Sequence, residues 1–163
     1  MASGLRVTIL LFGLSGPLAG VWSWPFQKDN GVCCPKGWTT LDDHCYVFKK
    51  GARSFADAES ICNLLGGNLA SITSELENRV VTSLVDSGEA RSAWIGLSDA
   101  IEVGDFLWTD GREFGFNQID SGEPSDDFCL EILTKGSSGP WIRESCGIEL
   151  PYVCIREATC SNH

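Results

Sequence analysis

The stretch Ser145-Cys146-Gly147-Ile148-Glu149-Leu150-Pro151-Tyr152-Val153-Cys154 decides how this chain is read. It holds two cysteines in different settings, one beside Gly147 and one inside the apolar run Tyr152-Val153-Cys154-Ile155, which reads as a β-strand. Working outward, four more cysteines join them: Cys34 in Cys34-Pro35-Lys36-Gly37-Trp38, Cys45 beside Tyr46, Cys62 between Ile61 and Asn63, and Cys129 between Phe128 and Leu130. Cys33 and Cys160 bring the total to 8. No Cys-x-x-Cys occurs, and the only histidines are His44 and His163. A zinc site needs closely grouped Cys and His ligands. An even, scattered set of thiols instead predicts a disulfide framework made in an oxidising compartment.

The N-terminus agrees with that compartment. Arg6 is the only charge before Lys28, Val7 to Leu14 is largely apolar, and small residues follow at Ser15, Gly16, Ala19 and Gly20. This is the layout of a secretory signal over residues 1–20, with cleavage between 20 and 24. The apolar run is shorter than the roughly 20 residues that span a bilayer. The expectation is a secreted, extracellular protein with no membrane span: a leader over 21–32, one domain over 33–156 and a tail over 157–163.

Without Arg6 the balance is 11 Lys+Arg against 22 Asp+Glu, a charge of −11. Such a chain repels phosphate backbones, so nucleic acid is excluded as a partner, while calcium, mineral surfaces and basic partners stay open. The sequence has no Asn-x-Ser/Thr acceptor for a glycan.

Along the chain, Tyr46-Val47-Phe48 reads as a short strand after a hairpin. Ser54 with Asp57 opens a helix carrying Phe55, Ala58, Ile61, Cys62 and Leu65 at helical spacing, stopped by Gly66-Gly67. Asn68 to Ile72 alternates as a strand. Ser74 with Glu77 opens a second helix, with Leu76, Val80 and Leu84 on one face, a Glu75–Arg79 pair on the wet side and Gly88 at its end. After Ala93 the chain is strand and loop: Trp94 to Leu97, Phe106 to Trp108, a turn-rich stretch from Thr109 to Asp127, then Cys129 to Ile132 and Tyr152 to Ile155. Two early helices and short late strands predict an α+β domain with a long loop region.

These residues resemble the C-type lectin-like domain family over roughly residues 33 to 156. The resemblance rests on Cys34-Pro-x-Gly-Trp38, Cys45-Tyr46, Phe55-Ala-x-Ala58 leading into Cys62, Leu69-Ala-Ser-Ile72, Trp94-Ile-Gly-Leu97, Trp108-Thr-Asp-Gly111, Glu123-Pro124 and the span Cys129 to Cys154. Cys33-Cys34-Pro35 and Gly104 to Asp110 are most similar to secreted echinoderm lectins. The resemblance implies a disulfide-stapled fold of two helices, small antiparallel sheets and a long ordered loop region. It implies the pairs Cys34–Cys45, Cys62–Cys154 and Cys129–Cys146. Cys33 and Cys160 then either bond to each other or link two chains as a homodimer.

The resemblance also implies a calcium ion in the sugar-binding members. Its ligands are a Glu-Pro-Asn or Gln-Pro-Asp triplet, an acid before the next cysteine, and an Asn-Asp pair after a tryptophan. Here Glu123-Pro124 is followed by Ser125, Asp126 and Asp127, and Trp141 is followed by Ile142 and Arg143. Ile142 has no side-chain oxygen and Arg143 is a permanent cation, where calcium wants six to eight oxygens. Three readings stay open. Glu123 and Asp127 are remnants of a calcium site, with Glu144 a ligand if the register shifts. Glu123-Pro124, with a cis or trans proline, only shapes the loop. Arg143 pairs with Glu123, Asp126 or Asp127 in the metal's place. Glu75, Glu77 and Glu157 are the candidates for a second calcium position, against a reading as solvated acids. Trp94, Trp108 and Trp141 read as core.

No nucleophile and base stand at catalytic spacing, so an enzyme is not expected. The reading is a secreted recognition protein that binds a glycan or microbial surface in innate defence, with calcium as a cofactor the sequence does not require. The alternative is an acidic biomineral matrix protein on the same fold. An ice-binding role has no support in the sequence.

Overall fold

The structure is a computed structural model that describes residues 33–99, 102, 104–120, 128–135 and 139–159. The expected signal, leader, Cys160 and the stretch from Glu123 to Asp127 with Pro124 lie outside the described residues. The strands are β1 (Thr39–Leu41), β2 (His44–Arg53), β3 (Asn68–Leu69), β4 (Ser92–Ser98), β5 (Leu107–Trp108), β6 (Phe128–Leu133), β7 (Trp141–Ser145) and β8 (Leu150–Glu157). The helices are α1 (Phe55–Leu64) and α2 (Glu75–Ser87).

The strands join into one sheet in the order β1-β2-β8-β4-β6-β7, with β3 on β8 and β5 on β4. The small antiparallel sheets expected from the sequence are thus one mixed sheet, because Trp94 of β4 meets Tyr152 of β8 in parallel. β2 is also longer than the expected Tyr46–Phe48 run. β8 pairs along it from His44 to Arg53, with an irregularity after Lys49 that absorbs Lys50, Gly51 and Ala52. The expected strand over Asn68–Ile72 stops at Leu69. Ala70 then gives its N–H to Val153 at 2.8 Å and takes the Gly96 N–H at 2.9 Å, bridging β8 to β4. That crossing explains Gly96: a Cβ there would lie 2.6 Å from the Leu69 carbonyl oxygen and 2.8 Å from Thr109 Oγ1.

Strand alternation sends residues to two faces. On one face Leu69, Trp94, Cys129, Tyr152 and Cys154 pack with Ala58 and Cys62 of α1. On the other, Tyr46, Ile95, Leu97, Leu130, Ile132, Trp141 and Val153 pack with Val81 and Val85 of α2. Both helix starts follow the predicted chemistry. Ser54 Oγ accepts the Asp57 N–H at 3.3 Å, and Ser74 Oγ accepts the Glu77 N–H at 3.2 Å.

The buried stripe of α2 is not the predicted one. Leu76 is exposed, and Glu77, Asn78, Val81 and Val85 face inward. Two of those four are polar, so a search for apolar periodicity alone places the face one position off. Cys34–Cys45, Cys62–Cys154 and Cys129–Cys146 are bonded as the resemblance implied. Cys33 is also disulfide-bonded.

Candidate functional site

The loop-side site is built on β7. Its register sets Trp141 against Ile132, Arg143 against Leu130 and Glu144 against Cys129. Trp141 and Arg143 therefore share one face of the strand, and Ile142 and Glu144 the other. Trp141 is fully buried. Its indole N–H donates to Asn78 Oδ1 of α2 at 2.8 Å, and Asn78 Nδ2 donates to the Gly139 carbonyl at 3.1 Å. The Trp108 and Phe116 rings stand edge-on to Trp141 at 5.5 and 5.7 Å, and Phe114 links Trp108 to Phe106. Trp94, Trp108 and Trp141 are all core, as read from the sequence.

Arg143 sits at the outer end of this aromatic chain. Its guanidinium lies over the Phe106 ring at 5.2 Å from the centroid, a cation–π contact. The carboxylates proposed to grip it, Glu123, Asp126 and Asp127, lie outside the described residues with Ser125. Glu144 turns back on its own strand and accepts the Ser145 N–H at 2.9 Å.

Beside Ile142 of β7, the neighbouring strand β6 carries a half-buried carboxylate, Glu131. Burial, opposed by a hydrogen bond from Ser92 and reinforced by the Glu144 charge, raises the Glu131 carboxyl above its ordinary value. The folded state then binds more protons than the unfolded one between the ordinary value and the raised one, so stability falls as pH rises through that window. Glu131→Gln keeps the Ser92 bond and removes the charge. It should melt at a higher temperature than the parent at pH 7, and the gain should vanish below about pH 4, where the parent is protonated in both states.

The second set of candidates does not converge. Glu75 is exposed and pairs with Arg79 at 3.4 Å, and Glu157 is exposed at the end of β8. Among the described residues no three His, Cys, Asp or Glu side chains form a group able to hold a metal ion. Glu77 is occupied by a partner the sequence reading missed. Arg112 Nη2 donates to Glu77 Oε1 and to Thr73 Oγ1, each at 2.8 Å, and Arg112 Nη1 donates to Ser71 Oγ at 3.1 Å. Glu77 also accepts from the Thr73 N–H, from the Thr73 hydroxyl at 2.9 Å and from the Tyr46 hydroxyl at 3.2 Å. Ser71 donates to Asp110, which accepts the Arg112 N–H at 3.0 Å.

This cluster ties α2, β2 and two loops together, and its charges are set by it. Burial pushes the Glu77 carboxyl up. The Arg112 hydrogen bond, the two Thr73 bonds and the Arg112 charge outweigh burial and hold it below the ordinary value. Burial lowers Arg112, but Glu77 more than compensates and raises it. Burial and the Glu77 carboxylate push the Tyr46 phenol up, so it stays a neutral donor. The signal that could have found Arg112 is its place in Trp108-Thr-Asp-Gly-Arg112, directly after a motif already in use.

The sequence profile of the Lectin C-type domain matches residues 51–156. The chain belongs to the C-type lectin family. Among relatives of this lectin, the galactose-specific lectin nattectin of Thalassophryne nattereri is 36% identical over 129 residues, 76% of this chain and 80% of that protein. The carbohydrate-recognition domain of cow CD23, solved in the presence of a GlcNAc2Man3 oligosaccharide, superposes with a TM-score of 0.68 at 35% identity, over 78% of this chain and 98% of that one. A calcium-independent type II antifreeze protein superposes with a TM-score of 0.70 at 29% identity, over 77% and 95%. The C-type lectin fold is therefore assigned, and two of these relatives are described by the carbohydrate they recognise. Among the described residues no helix is long and apolar enough to cross a membrane.

Proposed function

We propose that this lectin is a secreted, extracellular recognition protein of innate defence, that it binds carbohydrate on microbial surfaces, and that its loop-side site works without calcium. Carbohydrate binding is supported by a relative named as galactose-specific and by a fold neighbour solved with an oligosaccharide. Independence from calcium rests on one observation: the guanidinium of Arg143 over Phe106. β7 offers Ile142 and Arg143 where the resemblance calls for an Asn-Asp pair. A cation and an alkyl group do not fit a calcium ligand set. The seating of Arg143 on an aromatic ring gives its charge a partner other than a metal-site acid. A fold neighbour described as calcium-independent has the same architecture.

A glycan array read in millimolar calcium and again with chelator tests this. The expected result is the same set of bound glycans in both. Binding that disappears with chelator overturns the calcium reading, and no binding to any glycan overturns the carbohydrate reading. The parent should also show little thermal shift in millimolar calcium. A site filled at a hundredfold excess over Kd would stabilise by about 2.7 kcal/mol. The double variant Ile142→Asn/Arg143→Asp should gain calcium affinity by calorimetry, because it restores the oxygens the family uses. No gain over the parent would mean that these two positions are not what sets calcium binding.

The excess of acid, −10 over the whole chain, favours a second reading as a mineral-binding matrix protein on the same fold. Adsorption to calcium carbonate crystals in the absence of any glycan binding would favour it.

A further inference from the structure

A cavity of about 370 Å³ has no residue of β7 in its lining. Its lining includes Gly66, Asn68, Asp110, Arg112, Arg156 and Thr159. The α1 C-terminal turn forms one wall, the end of β8 another and the Asp110–Arg112 loop a third. Its size is in the range of small-ligand pockets, which run from about 300 to 1,000 Å³.

Three charged residues of its lining, Arg156, Asp110 and the exposed Glu157, enter no ion pair among the described residues. Arg156 enters no ion pair among the described residues. Its Nη1 donates to the Leu65 carbonyl at 3.1 Å, its guanidinium lies 6.0 Å from the Trp38 ring centroid, and its buried Nε has no hydrogen-bond partner among the described residues. The fork is nevertheless held in place. A Cβ at Gly66 would stand 3.3 Å from Arg156 Nη1, so the absence of a side chain there leaves room for the guanidinium. Gly66 has φ +82°, which favours glycine for its own reason. Among the described residues Asp110 is also in no ion pair, and its hydrogen bonds there come from the Ser71 hydroxyl and the Arg112 N–H. Arg112 itself is neutralised by Glu77.

We propose that this cleft is a second ligand site, and that it takes one sugar residue bearing a carboxylate. A planar guanidinium binds a carboxylate with two parallel hydrogen bonds, and an unpaired, pre-positioned one loses little freedom in doing so. The opposite requirement, acceptors for hydroxyl groups, is met by Asp110 and Asn68. The Asn68 amide N–H₂ is held by Glu59 Oε1 at 2.7 Å, which leaves its carbonyl oxygen for a ligand hydroxyl. Arg156 with Asp110 therefore selects an anion that also carries donors. A neutral sugar leaves Arg156 unpaired, and a bare anion faces the Asp110 carboxylate. The proposal stands apart from the loop-side site, since none of its residues is on β7.

The test is an NMR titration of the ¹⁵N-labelled full chain with glucuronate, glucose and inorganic phosphate in parallel. Glucuronate should shift the amides of Gly66, Gly67, Asn68 and Thr159 with millimolar affinity, and glucose at the same concentration should leave them in place. Arg156→Gln should weaken glucuronate about tenfold or more, a loss of about 1.4 kcal/mol or more. Should Arg156→Gln disturb the packing on Trp38, Thr159→Trp decides in its place: Thr159 is exposed and takes no part in the described hydrogen bonds of Arg156, so the larger side chain crowds the rim and should weaken glucuronate as well. Absence of shifts, shifts confined to Ile142–Glu144, or an unchanged titration in a folded variant would overturn the site. Equal binding of phosphate or glucose would overturn its assignment to an acidic sugar.

Discussion

Arg112→Met should destabilise the lectin domain by about 3–5 kcal/mol, the cost of removing one partner of a buried ion pair. The Glu77 side chain is only 10% exposed and the Arg112 side chain 26%. Without the guanidinium, the Glu77 carboxylate keeps Thr73 and Tyr46 as donors but loses its only counter-charge among the described residues. The pH dependence follows from the sign of the shift. Glu77 in the parent is held below its ordinary value, so its contribution is complete above the unfolded value and is lost as pH falls through the folded one. The gap between parent and variant should therefore be widest near neutrality and close under strong acid. The double variant Glu77→Gln/Arg112→Met should lose less than the sum of the two single variants, because an apolar group facing a neutral amide strands no charge. Chemical denaturation at pH 7 and pH 3 measures all three. An Arg112→Met protein as stable as the parent at pH 7 would show that the pair is not a brace.

Removing the Cys62–Cys154 bridge should cost at least as much. The bond closes a loop with a sequence separation of 92, against 11 for Cys34–Cys45 and 17 for Cys129–Cys146. Loop-closure entropy gives about 4–5 kcal/mol for the long loop and about 3 for each short one. Cys62 and Cys154 are both fully buried between α1 and the sheet, so their replacement by alanine also leaves a space. Cys62→Ala/Cys154→Ala should have the lowest melting temperature of the three double variants. If removal of Cys34–Cys45 proves as costly, strain or residual structure in the unfolded chain governs the ranking, and loop length does not.

Much of the fold was legible because its determinants are local. Ser54 and Ser74 cap helices through the N–H three residues on, and Gly66-Gly67 ends the first helix, so sequence neighbours suffice to place both elements. β2 was read short because Lys49 to Ala52 carry no strand signal of their own; β8 holds that end of the strand across the sheet. The face of α2 was read one position off because Glu77 and Asn78 are buried as polar residues, and what buries them is distant. Glu77 meets an arginine 35 residues on, and Asn78 meets Trp141, 63 residues on. The same limit applies at the loop-side site. The replacement of an oxygen-bearing pair by Ile142 and Arg143 was visible at once. The ring under Arg143 was not, since Phe106 stands far back in the chain, just before β5, and reaches β7 only through the fold.

The place of β8 in the sheet has a consequence for biogenesis. It is the last strand among the described residues, yet it lies between β2 and β4 in the sheet, and both β3 and Ala70 bond to it. A ribosome that has already delivered β2, both helices and β4 has delivered strands with an unfilled gap between them. Trp94 and Tyr46 have no completed core to enter until Tyr152 and Ile155 emerge. Until β8 is made, Cys62 has no Cys154 to bond, while the earlier cysteines Cys34 and Cys45 are already present. Any disulfide that Cys62 formed before β8 arrived would have to be exchanged before Cys62 could bond to Cys154.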